Sequence, residues 1–271
     1  MQRPRWAFWI TFLLLGSLTP LSAQPVVDTE PVLRLEAGGP TSFVTALAFS
    51  PDGRTLYAAG WDKVVRAWRL DPATKRFVLD PEAALRVPIG PGLEGAINAL
   101  AVSPDGSLVA VGGRAVVREA AGFRTPGRIV PSVGGMTDAM RLDQGTIHIF
   151  DTRTGAARAL RQHSGAVVSL AFVDGPGAPM LVSAGDDFDR DRKAQVGTVR
   201  LWDVAKGEQL HGFYIGEVKT RPGLAAWRTG ARAAQVRVAI AWGDGKLRLW
   251  DAGGRGGFLL ADDGNYNSSV A

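Results

Sequence analysis

The sequence predicts an all-β fold assembled from repeated units of short strands, and three observations carry that expectation. First, an apolar strand-like run ending in an aromatic residue and a polar turn occurs four times. The copies are VVRAWRLDPATKR (64–76), TIHIFDTRTGAAR (146–158), TVRLWDVAKGE (198–208) and KLRLWDAGGRGGF (246–258). Second, the segments ahead of these runs alternate with period two, the spacing of a half-buried strand. Third, the tetrapeptide Ser-Pro-Asp-Gly stands between matched apolar segments at 50–53 and again at 103–106. Proline presets its own φ, aspartate bonds nearby backbone and glycine accepts positive φ, so each tetrapeptide is a turn with a mechanism.

Composition agrees. A chain of 271 residues, 46% hydrophobic and 21% charged, is long enough for a sizeable core and lies in the globular range. Its 34 glycines and 16 prolines suit short strands and tight turns better than long helices.

The chain opens MQRPRWAFWITFLLLGSLTPLSAQ, with a basic start at Arg3 and Arg5, an apolar run from Trp6 to Leu18 and small residues at Ser22 and Ala23. That is the layout of a secretory signal peptide over 1–23, cleaved after Ala23. The apolar run is shorter than the roughly 20 residues a membrane span needs, so no stable insertion is expected after cleavage. The expected location is therefore periplasmic or extracellular. There is no cysteine, which excludes disulfides and a lipid-modified cysteine. Removing Arg3 and Arg5 leaves 29 basic residues against 26 acidic ones, and this excess of +3 contains no dense block, so nucleic acid is not an expected partner.

The units follow in order. In the first, FVTALAF, TLYAAG and VVRAW are strands around the Ser50–Gly53 turn, with Arg69 where the later copies have aspartate after the aromatic. In the second, INALAV precedes the turn at 103–106. In the third, GAVVSLAF, MLVSAG and GTVRLWD are three successive strands, and the fourth closes on KLRLWD.

On these residues the chain resembles the WD-repeat family, and in its SPDG turns it is similar to bacterial exported members in which the repeat domain accompanies another domain. The resemblance covers about 31–271 and implies a β-propeller of four-stranded antiparallel blades. The expected blades are 41–80, 95–162, 163–214 and 218–262, with a further blade starting at 263–271. About four blades is an incomplete ring, since propellers close on themselves. The expectation is that this is the N-terminal part of a longer protein and that PVLRLE (31–36) is the outer strand of the closing blade.

The family's structural hydrogen-bond network joins a histidine before the first strand, a hydroxyl on the second, an aspartate after the second and the tryptophan of the third. The resemblance places these at His163, Ser183, Asp187 and Trp202, in the third unit alone. Trp68, Phe150 and Trp250 hold the aromatic position elsewhere. Ala58 and Ile240 replace the hydroxyl in the first and fourth units although Asp62 and Asp244 remain, so apolar packing is expected to hold those blades. Histidine, serine and aspartate also compose nucleophilic sites. Nothing resembling a nucleophile elbow accompanies them, and the structural role is preferred.

Aromatic spacings of 82, 52 and 48 residues exceed the usual repeat of about 40 to 45. The excess falls between second and third strands, at 113–144 and 188–197, which places both insertions on one face, the expected binding face. The longer one carries Arg114, Arg118, Arg124, Arg128 and Arg141 with Phe123 and Met136, a candidate interaction loop. In the shorter one Asp187, Asp189 and Asp191 begin like a calcium loop, but Arg192 and Thr198 stand where glycine and glutamate are required, so no metal is expected.

The expected function is a non-enzymatic protein–protein interaction scaffold with a protein partner and no cofactor. Two alternatives remain open. One is a propeller enzyme or small-ligand binder using the central channel, with Asp187 and Asp189 near its mouth. The other is a periplasmic sensor of an anionic polymer through the arginines of 113–144.

Overall fold

The computed structural model describes residues 38–116, 145–189, 193–216, 222–230, 232, 235–242, 246–252 and 258–262. These lie within the compact unit Glu36–Ala271. Positions 1–37, including the expected signal peptide and PVLRLE, and the tail from 263 fall outside the described residues.

Sixteen strands form four four-stranded antiparallel sheets among the described residues, each strand pairing with its sequence neighbours. The first blade is β1 (Val44–Phe49), β2 (Thr55–Gly60), β3 (Val64–Leu70) and β4 (Phe77–Arg86), its fourth strand continuing past residue 80. The second is β5 (Ile97–Val102), β6 (Leu108–Gly113), β7 (Gly145–Asp151) and β8 (Ala157–His163). The third is β9 (Val167–Phe172), β10 (Met180–Asp189), β11 (Ala194–Asp203) and β12 (Glu208–Gly216). The fourth is β13 (Gly223–Arg228), β14 (Val236–Trp242), β15 (Lys246–Asp251) and β16 (Phe258–Asp262).

The Ser-Pro-Asp-Gly turns form as their chemistry requires. Asp52 and Asp105 accept the N–H of Arg54 and Ser107, each at 3.0 Å, and Gly53 and Gly106 take φ of 67° and 73°. The turn after the aromatic residue is held by Asp151, which accepts the N–H groups of Arg153 and Thr154 at 3.0 and 2.8 Å. In the first blade Arg69 breaks the motif, yet the turn survives two residues later. Asp71 accepts the Ala73 N–H at 2.8 Å, and its carbonyl receives the Lys75 N–H as that of Asp151 receives Gly155.

The core lies in the seams between blades. Tyr57, Val65 and Ala67 pack with Leu100, Val109 and Phe150; Ile147 and Leu160 pack with Leu170, Phe172 and Trp202; Val182 and Leu201 pack with Leu224 and Ile240. Polar stitches cross two seams at equivalent positions, the Thr45 hydroxyl donating to the Ile97 carbonyl at 2.7 Å and the Asn98 amide to the Val167 carbonyl at 3.2 Å.

Among the described residues the first blade has no such neighbour on its other face. Strand alignment makes Leu47 equivalent to Leu100 and Leu170, and Phe49 equivalent to Phe172. Leu100, Leu170 and Phe172 are 8% exposed, whereas Leu47 and Phe49 are 63% and 56% exposed. The ring of described blades is open at this point.

The segment 188–197 departs from the sequence reading. Its described residues 188–189 and 194–197 extend the β10–β11 hairpin, with Phe188 opposite Gln195 and Asp189 opposite Ala194. Its ladder continues because each added residue finds a cross-strand partner, and Asp187 accordingly sits inside β10 rather than beyond its end.

Candidate functional site

The third blade brings His163, Ser183, Asp187 and Trp202 into one buried network. Ser183 lies on β10 opposite Arg200 of β11, and Asp187 follows four residues on, so both side chains leave the same face of the strand. His163 reaches them from the end of β8. It can enter because Gly185 has no side chain: a Cβ there would stand 2.2 Å from the imidazole Nδ1.

Trp202 Nε1–H donates to Ser183 Oγ at 2.8 Å, and Ser183 Oγ stands 2.7 Å from His163 Nε2. His163 Nδ1 faces both oxygens of Asp187 at 3.2 Å, and Arg200 Nε–H is directed at the same nitrogen at 3.3 Å. Asp187 further accepts Thr198 Oγ1–H at 2.5 Å, Arg200 Nη2–H at 2.7 Å and the Gly165 N–H at 3.2 Å.

Electrostatics follow from this packing. Burial holds the His163 imidazole below its ordinary value, with the Arg200 charge acting the same way and Asp187 opposing both, so the ring is neutral. Burial pushes the Asp187 carboxyl upward, but hydrogen bonds from His163 and Thr198 and the Arg200 charge outweigh it and hold the group well below the usual carboxylate range.

The order Asp187, His163, Ser183 is the connectivity of a nucleophilic triad. Ser183 and His163 are fully buried, and the serine oxygen already accepts from Trp202, so no reacting carbonyl can approach it. The set acts as a bracket that ties the end of β8 to β10 and β11. Thr198 and Arg200 complete it and were not singled out from sequence; their signal was the paired spacing of Thr198 and Arg200 ahead of Trp202, on the inward side of β11.

The first blade corrects the expectation of purely apolar packing. Ala58 does replace the hydroxyl, but Asp62 accepts Arg66 Nη1–H at 2.5 Å and the Thr41 N–H at 3.0 Å, with both charged side chains about as buried as a core residue. Arg66 lies opposite Ala58 as Arg200 lies opposite Ser183, so the aspartate–arginine pair is the part of the network the two blades share.

Of the candidate interaction loop, Arg114 is exposed at the end of the second strand of its blade. Arg118, Phe123, Arg124, Arg128 and Arg141 lie outside the described residues. The Asp187 carboxylate is taken up by protein donors, and among the described residues no group of three or more metal-ligating side chains comes together.

Comparison with known proteins finds similar repeats and a similar fold. Residues 30–69 and 86–115 match the WD domain, G-beta repeat family. The matches therefore take in the first three strands of the first blade and the first two of the second. A rice relative, small ribosomal subunit protein RACK1y of Oryza sativa subsp. japonica, is 25% identical over 227 residues, covering 82% of this chain and 52% of that protein. Small ribosomal subunit protein RACK1 of Caenorhabditis elegans is 37% identical over 76 residues, covering 27% of this chain and 20% of its own. Among solved structures, the WD40 repeats of RRP9 superpose with a TM-score of 0.53 at 17% identity over 85% of this chain and 54% of that one, and U3-55K with 0.51 at 19% over 82% and 52%. These likenesses show the WD-repeat propeller fold. The chain spans about half the length of the rice relative and of both structures.

Proposed function

We propose that this chain is a non-enzymatic interaction scaffold, the N-terminal part of a longer exported WD-repeat propeller whose remaining blades complete the ring and whose loops bind another protein. The observation that carries the reading is the uncovered face of the first blade. Leu47 and Phe49 project into solvent where the equivalent Leu100, Leu170 and Phe172 are buried, and an apolar sheet face of this kind is normally covered by protein. The sealed Ser183 and His163 favour a structural role for the chemistry-bearing side chains. Export rests on the signal-like residues 1–23, with the mature chain beginning at Gln24.

The test is to express residues 24–271 alone and together with whatever the gene encodes downstream. Alone, the chain is expected to self-associate and bind a hydrophobic dye. With further blades it is expected to be monomeric and to bind little dye. A stop codon directly after Ala271, with a monomeric chain that binds no dye, overturns the reading.

A further inference from the structure

A cavity of about 180 Å³ opens in the second blade, where the third blade keeps its bracket. Strand register gives the correspondence: Val111 lies opposite His148 as Ser183 lies opposite Arg200. Val111, Ala115, Thr146 and His148 therefore hold the positions of Ser183, Asp187, Thr198 and Arg200, and all four line the cavity together with Arg114 and Arg161.

Among the described residues of the second blade no carboxylate stands at this position. Asp62 supplies it in the first blade and Asp187 in the third, each bonded to an arginine on the strand alongside. At Ala115 there is only a methyl group. The threonine is retained: Thr198 donates its hydroxyl to Asp187 at 2.5 Å, and the buried Thr146 borders the cavity at the equivalent position.

The cavity is far smaller than a pocket for a drug-sized molecule, about six times the volume share of one water, and suits a carboxylate on a short stem. Its field is basic. Burial holds His148 in its neutral form and the Arg161 charge adds to that effect, leaving one ring N–H to donate. Arg161 has a partner of its own in the chain, and Arg114 bears on Asp186 of the adjoining blade. The specific donors are thus Thr146 and His148, and the two guanidiniums favour an anion.

We propose that this cavity is a carboxylate-binding site, in which an acidic group from outside the chain takes the place that Asp187 fills in the third blade. Free small carboxylic acids and acidic side chains of a partner protein share this chemistry. The site stands on the fold alone, independently of whether the chain is a scaffold.

The experiment is an NMR titration of the full chain with sodium acetate at constant ionic strength, following the His148 ring, with acetamide as the neutral isostere. Saturable shifts are expected with acetate and not with acetamide, together with a rise in the His148 titration midpoint, because a bound carboxylate favours imidazolium. Thr146→Val should weaken binding about tenfold without changing the fold, the loss of one charge-assisted hydrogen bond. Ala115→Asp should abolish it by supplying the carboxylate from within. If that variant does not fold, Thr146→Val carries the test, with His148→Phe followed through the backbone amide of Thr146. A blocked Gly-Asp-Gly peptide that binds more tightly than acetate identifies a protein side chain as the source; equal or weaker binding identifies a free acid. No saturable response in the folded wild type, or unchanged affinity in Thr146→Val, overturns the proposal.

Discussion

Asp187 and Arg200 meet at 2.7 Å across the β10–β11 hairpin, with the carboxylate side chain 4% and the guanidinium side chain 18% exposed. Removing one member of such a pair strands the other in a poor solvent. Asp187→Ala is expected to cost about 3–5 kcal/mol, read as a lower urea midpoint, whereas replacing Asp187 and Arg200 together by apolar residues should cost less than the single change. A single-variant loss below the double-variant loss would show that the pair is not the bracket's centre.

Ser183 receives the Trp202 indole N–H and faces the His163 Nε2. Ser183→Ala leaves the indole donor buried without an acceptor, and should cost about 1–3 kcal/mol in chemical denaturation. The loss of indole hydrogen-exchange protection at Trp202 is the accompanying local readout.

His163 has a folded-state proton affinity below its ordinary 6.5. As pH falls through that ordinary value the unfolded chain takes up a proton that the folded chain refuses. The stabilising contribution is therefore complete above it and lost as pH falls toward the lower folded value, at up to about 1.4 kcal/mol per pH unit. Comparing unfolding at pH 7.5 and 5.5, His163→Asn should start less stable and lose less. The slope should not vanish, because burial and the Arg161 charge hold His148 down as well.

Lys75 occupies the left-handed region at φ 56°, the place in the turn that Gly155 and Gly207 fill in the next two blades at 70° and 75°. A side chain in that region costs roughly 1–2 kcal/mol, part of which glycine returns to the unfolded chain as entropy. Lys75→Gly is expected to raise stability by about 0.5–1 kcal/mol in thermal unfolding.

Leu170 and Leu47 are the same residue at equivalent positions in two environments, one 8% and the other 63% exposed. Leu170→Ala should cost about 2–5 kcal/mol, while Leu47→Ala should leave the stability of the isolated chain within about 0.5 kcal/mol. Leu47→Lys is expected to reduce self-association in sedimentation.

Much of this was legible before any coordinates. Period-two alternation places the strands because one face of each must be buried. The Ser-Pro-Asp-Gly and aromatic-Asp turns are local chemistry, and the spacing of His163, Ser183, Asp187 and Trp202 matched a repeat pattern whose members do meet. What the sequence could not order was everything that depends on which strand lies opposite which. Asp62 with Arg66, Thr198 with Asp187, and the extended β10–β11 hairpin follow from register, a relation between segments rather than a property of either. The displaced turn at Asp71 was hidden because its aspartate stands three residues after Trp68, where Asp151 directly follows Phe150, so the same backbone bonds form under a different motif. The aromatic run, the turns and the alternation by themselves determined an all-β repeat; the tertiary structure alone decided that the second blade holds a cavity where its neighbours hold a carboxylate, because a missing side chain becomes a space only when packed strands surround it.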